Sequence, residues 1–212
     1  ARTSGPEVCR NFRGRNIRTG QHTMPLSPSL APRQRLHMRE LRYDGFRLAG
    51  GGYEIEARLV DVKDDDYELA SGVRRGGDPV HDMSVRVALT ADFVITHVEA
   101  CSDWVPYPGG CDTIGPAYAR LVGVSLMQGF RNALRERLGG IEGCTHITEM
   151  LGGLPTAAVQ MRASEVRETD DIDGVKPFQL DRCHALVTTG ATVRRYYPRW
   201  YRPGAEQTPA LI

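Results

Sequence analysis

Apolar and polar residues begin to alternate with a period of two near residue 36. Such alternation is typical of strands that bury one face. It recurs in four runs, at residues 36–43, 53–60, 83–89 and 93–100. Glycines at 50–52 end the first run, and a short turn at 90–92 joins the last two. We therefore expect an antiparallel meander of four strands.

Beyond residue 113 the apolar spacing changes to three and four residues, which predicts amphipathic helices. The apolar stripes lie at residues 114–122, 130–138, 147–151 and 155–162. Near the C-terminus, short alternating runs flank Thr189-Gly190 and predict a hairpin over 184–197. Strands followed by helices favour the α+β class, here an antiparallel β-meander with a helical cluster packed on it and a C-terminal hairpin.

Composition divides the chain into a central domain and two ends. Residues 1–34 mix Arg, Gly, Pro, Ser and Asn without apolar periodicity, which predicts a disordered basic tail. Residues 35–202 are long enough to form a single α+β domain with a sizeable core. Residues 203–212 show no pattern, and we expect a frayed C-terminus.

Charge and cysteine content limit the classes of function. The net charge is +1, so no overall basic field favours a nucleic-acid partner. No apolar run approaches the roughly 18–20 residues of a membrane-spanning helix, and the N-terminus lacks the apolar segment of a signal peptide. The five scattered cysteines do not suggest a disulfide framework. We expect a cytoplasmic protein with a small-molecule substrate, and a homo-oligomer is compatible with this composition.

The segment most suggestive of chemistry is Gly143-Cys144-Thr145-His146, which runs into a helical pattern. If Thr145 caps that helix, Cys144 lies just before it, where a helix N-terminus lowers the pKa of a thiol. His146 and Glu149 are three residues apart and share one helical face. A thiol, an imidazole and a carboxylate suit a metal site or acid/base catalysis. The alternative is a buried cysteine packed beside a capping histidine.

Two further segments could contribute to the same site. His81-Asp82 opens the third strand directly after a Gly/Pro loop, a common location for functional side chains. There Asp82 could orient His81, or both residues could face one ligand across the strand end. The alternative is an aspartate that caps a turn beside an exposed histidine. The next candidates follow the fourth strand in a loop held by two prolines and two glycines: Cys111 as a metal ligand and Tyr107 as a hydrogen-bond donor to a ligand.

Asp61 and Lys63 stand two residues apart at the end of the second strand and therefore share one face. Together they could hold a substrate carboxylate or carbonyl. The three aspartates that follow are typical of a solvated turn. The sequence contains no Gly-rich phosphate loop and no His-Glu-x-x-His, Cys-x-x-Cys or Gly-x-Ser-x-Gly motif.

Three segments of the chain resemble a family of bacterial proteins that is catalogued only as a domain of unknown function. The segments are Pro79-Val80-His81-Asp82-Met83, Gly143-Cys144-Thr145-His146 and Cys183-His184-Ala185-Leu186. The resemblance covers residues 25–202. It implies no activity, because that family has no agreed one.

A weaker likeness is to the scaffold proteins of iron–sulfur cluster assembly, whose fold also runs an antiparallel meander into helices. That family takes metal ligands from a strand end, the following loop and a later helix, which correspond here to His81-Asp82, Cys111 and Cys144/His146. The scaffold's first cysteine has no counterpart at His81. Its helical His-Cys pair is reversed and split here, and its Leu-Pro-Pro-Val-Lys motif is absent. These departures count against cluster assembly but not against metal binding.

The pattern as a whole favours a small metal-dependent enzyme of the lyase or hydrolase type. The candidate ligands for Zn²⁺ or Fe²⁺ are His81, Cys111, Cys144 and His146. An open coordination position would polarise a substrate oxygen or activate water, and Glu149 or Asp82 would transfer protons.

Two other functions remain open at this point. The first is a metal- or iron–sulfur-binding scaffold protein without chemistry of its own. The second is a metal-free lyase or isomerase in which His81, Asp82 and His146 act as general acid and base, while Lys63 binds an anionic substrate.

Overall fold

The computed structural model of the protein describes residues 27–165 and 174–203. The chain divides into two compact units, Ala1–Met161 and Arg162–Ile212. The predicted tail and frayed end lie mostly outside the described residues, and the single domain over 35–202 stays a prediction. Within the described residues, no helix has both the length and the apolar character needed to cross a membrane.

A four-stranded antiparallel sheet confirms the predicted meander. Its strands, in order across the sheet, are β1 (His37–Arg47), β2 (Tyr53–Lys63), β5 (Pro79–Leu89) and β6 (Ile95–Trp104). A small hairpin of β3 (Tyr67–Leu69) and β4 (Gly72–Arg74) interrupts the meander between β2 and β5. The sequence pattern did not predict this hairpin, because strands of three residues are too short for alternation to be recognised.

One face of the sheet forms the hydrophobic core. Successive side chains of a strand point to opposite faces, so every second residue of β2 faces the core. The core-facing residues of β2 and their partners on β5 are the pairs Ile55/Val87, Ala57/Val85 and Leu59/Met83. These six residues are at most 1% exposed. The opposite face carries charged residues such as Arg58 and Arg86.

Three helices pack on the core face and confirm the predicted helical cluster: α1 (Phe130–Leu138), α2 (Thr145–Leu151) and α3 (Leu154–Ala163). The apolar stripe of α2 is fully buried. The helix predicted at 114–122 is a 3-10 helix over Gly115–Leu121, which has a proline near its N-terminus. These helices bring the loop before α2 close to the sheet, since α2 contacts both β2 and β5.

The predicted C-terminal hairpin is wrong. In the second unit, His184–Leu186 forms a 3-10 turn and Ala191–Tyr196 forms helix α4. Apolar runs of three or four residues fit a strand and a helical turn equally well. Here the N–H of Tyr197 donates to the carbonyl oxygen of Val193 at 2.8 Å, which is the four-residue hydrogen bond of a helix.

We predict that Leu59→Ala lowers the free energy of unfolding by about 2–5 kcal/mol, because it leaves a cavity in the core. Leu41 is the cross-strand partner of Leu59 but is 40% exposed. The control Leu41→Ala should therefore cost less than about 1 kcal/mol. Urea denaturation followed by circular dichroism measures both changes, and equal losses would contradict the difference in burial between Leu59 and Leu41.

Candidate functional site

Three polar residues form one row across the end of the core face. Arg39 of β1 is the cross-strand partner of Asp61 of β2, and Asp61 is paired in turn with His81 of β5. The next row inward on the same face contains the apolar pair Leu59 and Met83. The charged row therefore lies at the edge of the core, where low polarity strengthens electrostatic interactions.

A β-bulge precedes His81. Asp61 pairs with His81, but the next residue of β2, Val62, pairs with Pro79, so Val80 has no partner on β2. A bulge of this kind bends the strand and redirects neighbouring side chains. At this bulge Nδ1 of His81 lies 3.0 Å from Oδ2 of Asp61.

Asp61 carries a buried carboxylate, and its side chain is only 4% exposed. Arg39 donates from Nε to Oδ1 at 2.8 Å and from Nη2 to Oδ2 at 2.9 Å, and His37 Nε2 lies 2.8 Å from Oδ1. Burial raises the pKa of Asp61, but the hydrogen bonds from Arg39 and His37 outweigh it and lower the pKa to about 2. The carboxylate is therefore ionised at neutral pH.

His146, in the first turn of α2, lies against the ring of His81. The two ring centroids are 3.8 Å apart with an interplanar angle of 33°. Nε2 of His146 is 3.9 Å from Oδ2 of Asp61, which is too long for a hydrogen bond. Burial and the neighbouring His146 lower the pKa of His81, although Asp61 opposes them. A neutral His81 is therefore favoured at neutral pH.

Asp61, His81 and His146 together could hold a metal ion. One ligand atom from each residue lies within 4.8 Å of the other two. Ligands of tetrahedral Zn²⁺ lie about 2.0–2.2 Å from the ion, and hence about 3.5 Å from one another. Small side-chain rotations would close the group to that spacing. Two imidazoles and a carboxylate also form a ligand set of non-haem iron.

Tyr118 fixes the backbone that presents His146. Its hydroxyl accepts the N–H of Cys144 at 2.9 Å and donates to the Cys144 carbonyl oxygen at 3.0 Å, and the Thr148 hydroxyl lies 3.1 Å away. Tyr118 is fully buried, so these bonds are made inside the core. The turn also requires Gly143, because a Cβ there would lie 2.5 Å from a backbone oxygen of α1.

The thiol of Cys144 lies beside His146 but outside the group of three. Its Sγ is 3.9 Å from Nδ1 of His146, while the opposite ring nitrogen faces Asp61. Burial raises the pKa of this thiol, but the His146 ring and the backbone N–H groups of Ile147 and His146 lower it overall. Cys144 therefore helps to orient the imidazole, and its role as a metal ligand stays a prediction.

Asp82 lies on the opposite face of β5 from His81. Arg58 binds both of its carboxylate oxygens, Nε to Oδ1 at 2.8 Å and Nη2 to Oδ2 at 2.6 Å. The expectation that Asp82 orients His81 is therefore wrong, because residues adjacent in a strand face opposite ways. Asp61 takes that place.

Cys111 and Tyr107 lie in the segment after β6. Cys111 is partly buried against the hydrophobic core, and Tyr107 is exposed. In the part of the chain that the structure describes, no hydrogen bond, ion pair or ring contact joins either residue to the group of three. We therefore leave both out of the site.

Glu149 and Lys63 flank the group. Glu149, on the same face of α2 as His146, accepts a hydrogen bond from Arg39 Nη1 at 2.6 Å. Arg39 thus links the sheet to the helix. The ammonium of Lys63, one row outward from Asp61, lies 4.5 Å from the centroid of the Tyr67 ring.

The sequence pattern missed Arg39, His37 and Tyr118. Arg39 and His37 lie two and four residues before Leu41, so all three share one face of β1. Alternation along β1 could therefore have placed both residues beside Asp61. Tyr118 carried no such signal, because its bonds to Cys144 depend on how the 3-10 helix packs against the loop before α2.

A family model described as "Protein of unknown function (DUF2889)" matches residues 37–160, and the chain belongs to that family. This match confirms the resemblance to a domain of unknown function. The matched range contains the charged row of the sheet and the whole of α2. No curated protein and no solved structure matches the chain.

We predict that the contribution of Asp61 to folding stability is lost in acid. The pKa of Asp61 is about 2 in the folded protein, against about 3.9 in an unfolded chain. Because the folded value is the lower one, the stabilisation is complete above about pH 4 and is lost as the pH falls towards about 2. Between about pH 5 and pH 2, the difference in unfolding free energy between wild type and Asp61→Asn should shrink by about 2 kcal/mol. Urea denaturation of the metal-free proteins tests this, and a constant difference would contradict it.

We predict that Tyr118→Phe lowers the free energy of unfolding by about 1–3 kcal/mol, because it leaves buried backbone groups of Cys144 without their partner. The control is Tyr107→Phe, which removes an exposed hydroxyl and should change stability by less than about 0.5 kcal/mol. Thermal and urea unfolding measure both variants. Equal stability of the two would show that the Tyr118 hydroxyl does not hold this turn.

Proposed function

We propose that this member of the family binds one Zn²⁺ or Fe²⁺ through Asp61, His81 and His146, and that the ion is the centre of a small lyase or hydrolase acting on a small organic substrate. The observation that supports this is the convergence of the three side chains to within 4.8 Å of one another. They come from β2, β5 and α2, so their spacing is set by the packing of the core.

The acceptor capacity of Asp61 leaves one place for an ion. A carboxylate has about four lone-pair sites. Arg39 uses two of them and His37 one. The remaining site, on Oδ2, faces Nδ1 of His81 and Nε2 of His146. An ion there would take the place of the proton on His81 Nδ1, and that proton would move to Nε2 of the same neutral imidazole.

The neighbours of the group orient its ligands. Arg39 and His37 hold the Asp61 carboxylate in one direction, and the Cys144 thiol contacts the far nitrogen of the His146 ring. Such partners fix the orientation of metal ligands and raise affinity. With three protein ligands, the ion keeps an open position at which it polarises a substrate oxygen or activates water.

A second candidate function needs no metal. The hydrogen bond between His81 Nδ1 and Asp61 Oδ2, together with the lowered pKa of His81, suits a general base whose Nε2 is free to accept a proton. His146, whose ring lies against that of His81, would then serve as the acid. The scaffold alternative has less support, because Fe–S clusters prefer thiolate ligands and the group of three contains no cysteine.

We predict that the wild-type protein binds about one Zn²⁺ or Fe²⁺ per chain. His146→Ala removes one of the three ligands, and its loss of affinity should exceed the roughly 10–100-fold cost of losing a residue that only orients a ligand. Elemental analysis gives the stoichiometry, and competition with a fluorescent chelator gives the affinity.

The matched control for this experiment is His97→Ala, which removes an exposed histidine of β6 and should leave metal binding unchanged. Circular dichroism establishes that each variant is folded. Metal content near zero in the wild type as well as in His146→Ala would end the metal-centre proposal. Turnover that survives exhaustive chelation would favour the Asp61/His81 acid/base alternative.

A further inference from the structure

At the end of the sheet, the core-facing side carries two consecutive rows of polar residues. The inner row is Arg39, Asp61 and His81, and the outer row is the cross-strand pair of His37 and Lys63. Rows two residues apart along a strand are separated by about 7 Å. A small ligand that contacts the inner row at one end therefore reaches the outer row at the other.

Lys63 has no acidic partner among the described residues. Its ammonium lies over the ring of Tyr67, 4.5 Å from the centroid. Of the three aspartates that follow it in the chain, two are engaged by arginines instead, in the pairs Arg35/Asp64 and Arg75/Asp66. The positive charge of Lys63 is thus available to a ligand.

The residue type at position 63 is unusual for this chain. Only two of its 27 Lys and Arg residues are lysines. The other one, Lys176, belongs to the second unit and is paired with Asp181 at 2.5 Å. A lysine ammonium is a compact charge with freely rotating donors, so it can follow a carboxylate without the fixed geometry of a guanidinium.

The charges of the inner row favour an anion at the outer row. Arg39 faces two carboxylates, those of Asp61 and Glu149. Arg39 and these two carboxylates together carry one negative charge. A divalent ion at the group of three would turn this into one positive charge, and Lys63 would add a second. An anionic ligand is therefore attracted to this end of the sheet.

We propose that the substrate is a small organic acid whose carboxylate is bound by Lys63 beside the Tyr67 ring. A second oxygen of the same molecule, about 7 Å away, then lies at the centre formed by Asp61, His81 and His146. This inference rests on the proposed metal centre and adds to it the class of substrate and the direction in which the substrate lies.

The test uses the Co²⁺-loaded protein and two hydroxamates, which bind metals through the same singly deprotonated chelating group. One probe is the monohydroxamate of succinic acid, and the other is its carboxamide analogue, which has the same size without the charge. Visible absorption of Co²⁺ reports first the binding of the ion and then the Kd of each probe. The variants are Lys63→Met, the charge-preserving Lys63→Arg and the matched control Lys176→Met.

We expect the wild type and Lys176→Met to bind the carboxylate probe about tenfold more tightly than the carboxamide, as one charge-assisted hydrogen bond allows. In Lys63→Met that ratio should fall to about one, with unchanged affinity for Co²⁺ and for the carboxamide, while Lys63→Arg keeps most of the ratio. A wild-type ratio near one, or a ratio that survives in Lys63→Met, would overturn the inference and leave the metal centre standing. Failure of the wild type to bind Co²⁺ would overturn both.

Discussion

The ionised carboxylate of Asp61 is the constraint on which this end of the sheet depends. It occupies a core-facing position of β2, where an apolar side chain would otherwise continue the column that contains Leu59. A buried charge is costly unless its oxygens are hydrogen-bonded and its charge is balanced. Arg39, His37 and His81 supply those partners from the two neighbouring strands. One charge thus accounts for a polar row across three strands.

The position of α2 is the second condition for the site. The helix has seven residues, too few to be stable without tertiary contacts. Its apolar side is fully buried, the Tyr118 hydroxyl holds the backbone at its start, and the Tyr43 hydroxyl donates to the Met150 carbonyl oxygen at 2.7 Å. The ion pair between Arg39 and Glu149 adds a link from β1. The spacing of His146 from the sheet is therefore a result of core packing.

The sequence allowed some of this arrangement to be predicted. Alternation along β2 placed Asp61 and Lys63 on one face, and helical spacing placed His146 and Glu149 together. The register was not predictable, because alternation shows which residues of β2 and β5 share a face but does not identify the partner of each residue, such as His81 opposite Asp61. Asp82 was expected on the same side as His81, although residues adjacent in a strand point to opposite faces of the sheet. The C-terminal runs were too short to separate a strand from a helical turn.

A purely structural ion pair does not explain His146, which lies beside this row. Arg39 alone would satisfy the charge of Asp61, whereas His146 makes no hydrogen bond with that carboxylate and disfavours the protonated form of His81. The opposite face of the sheet offers the comparison: there Arg86 bonds both Glu56 and Glu99, and these carboxylates are engaged by an arginine without any imidazole. Ionisable groups that shift one another's pKa without being joined by hydrogen bonds are typical of functional sites. This contrast, more than the presence of histidine itself, is the physical reason to place the function at the row of Asp61.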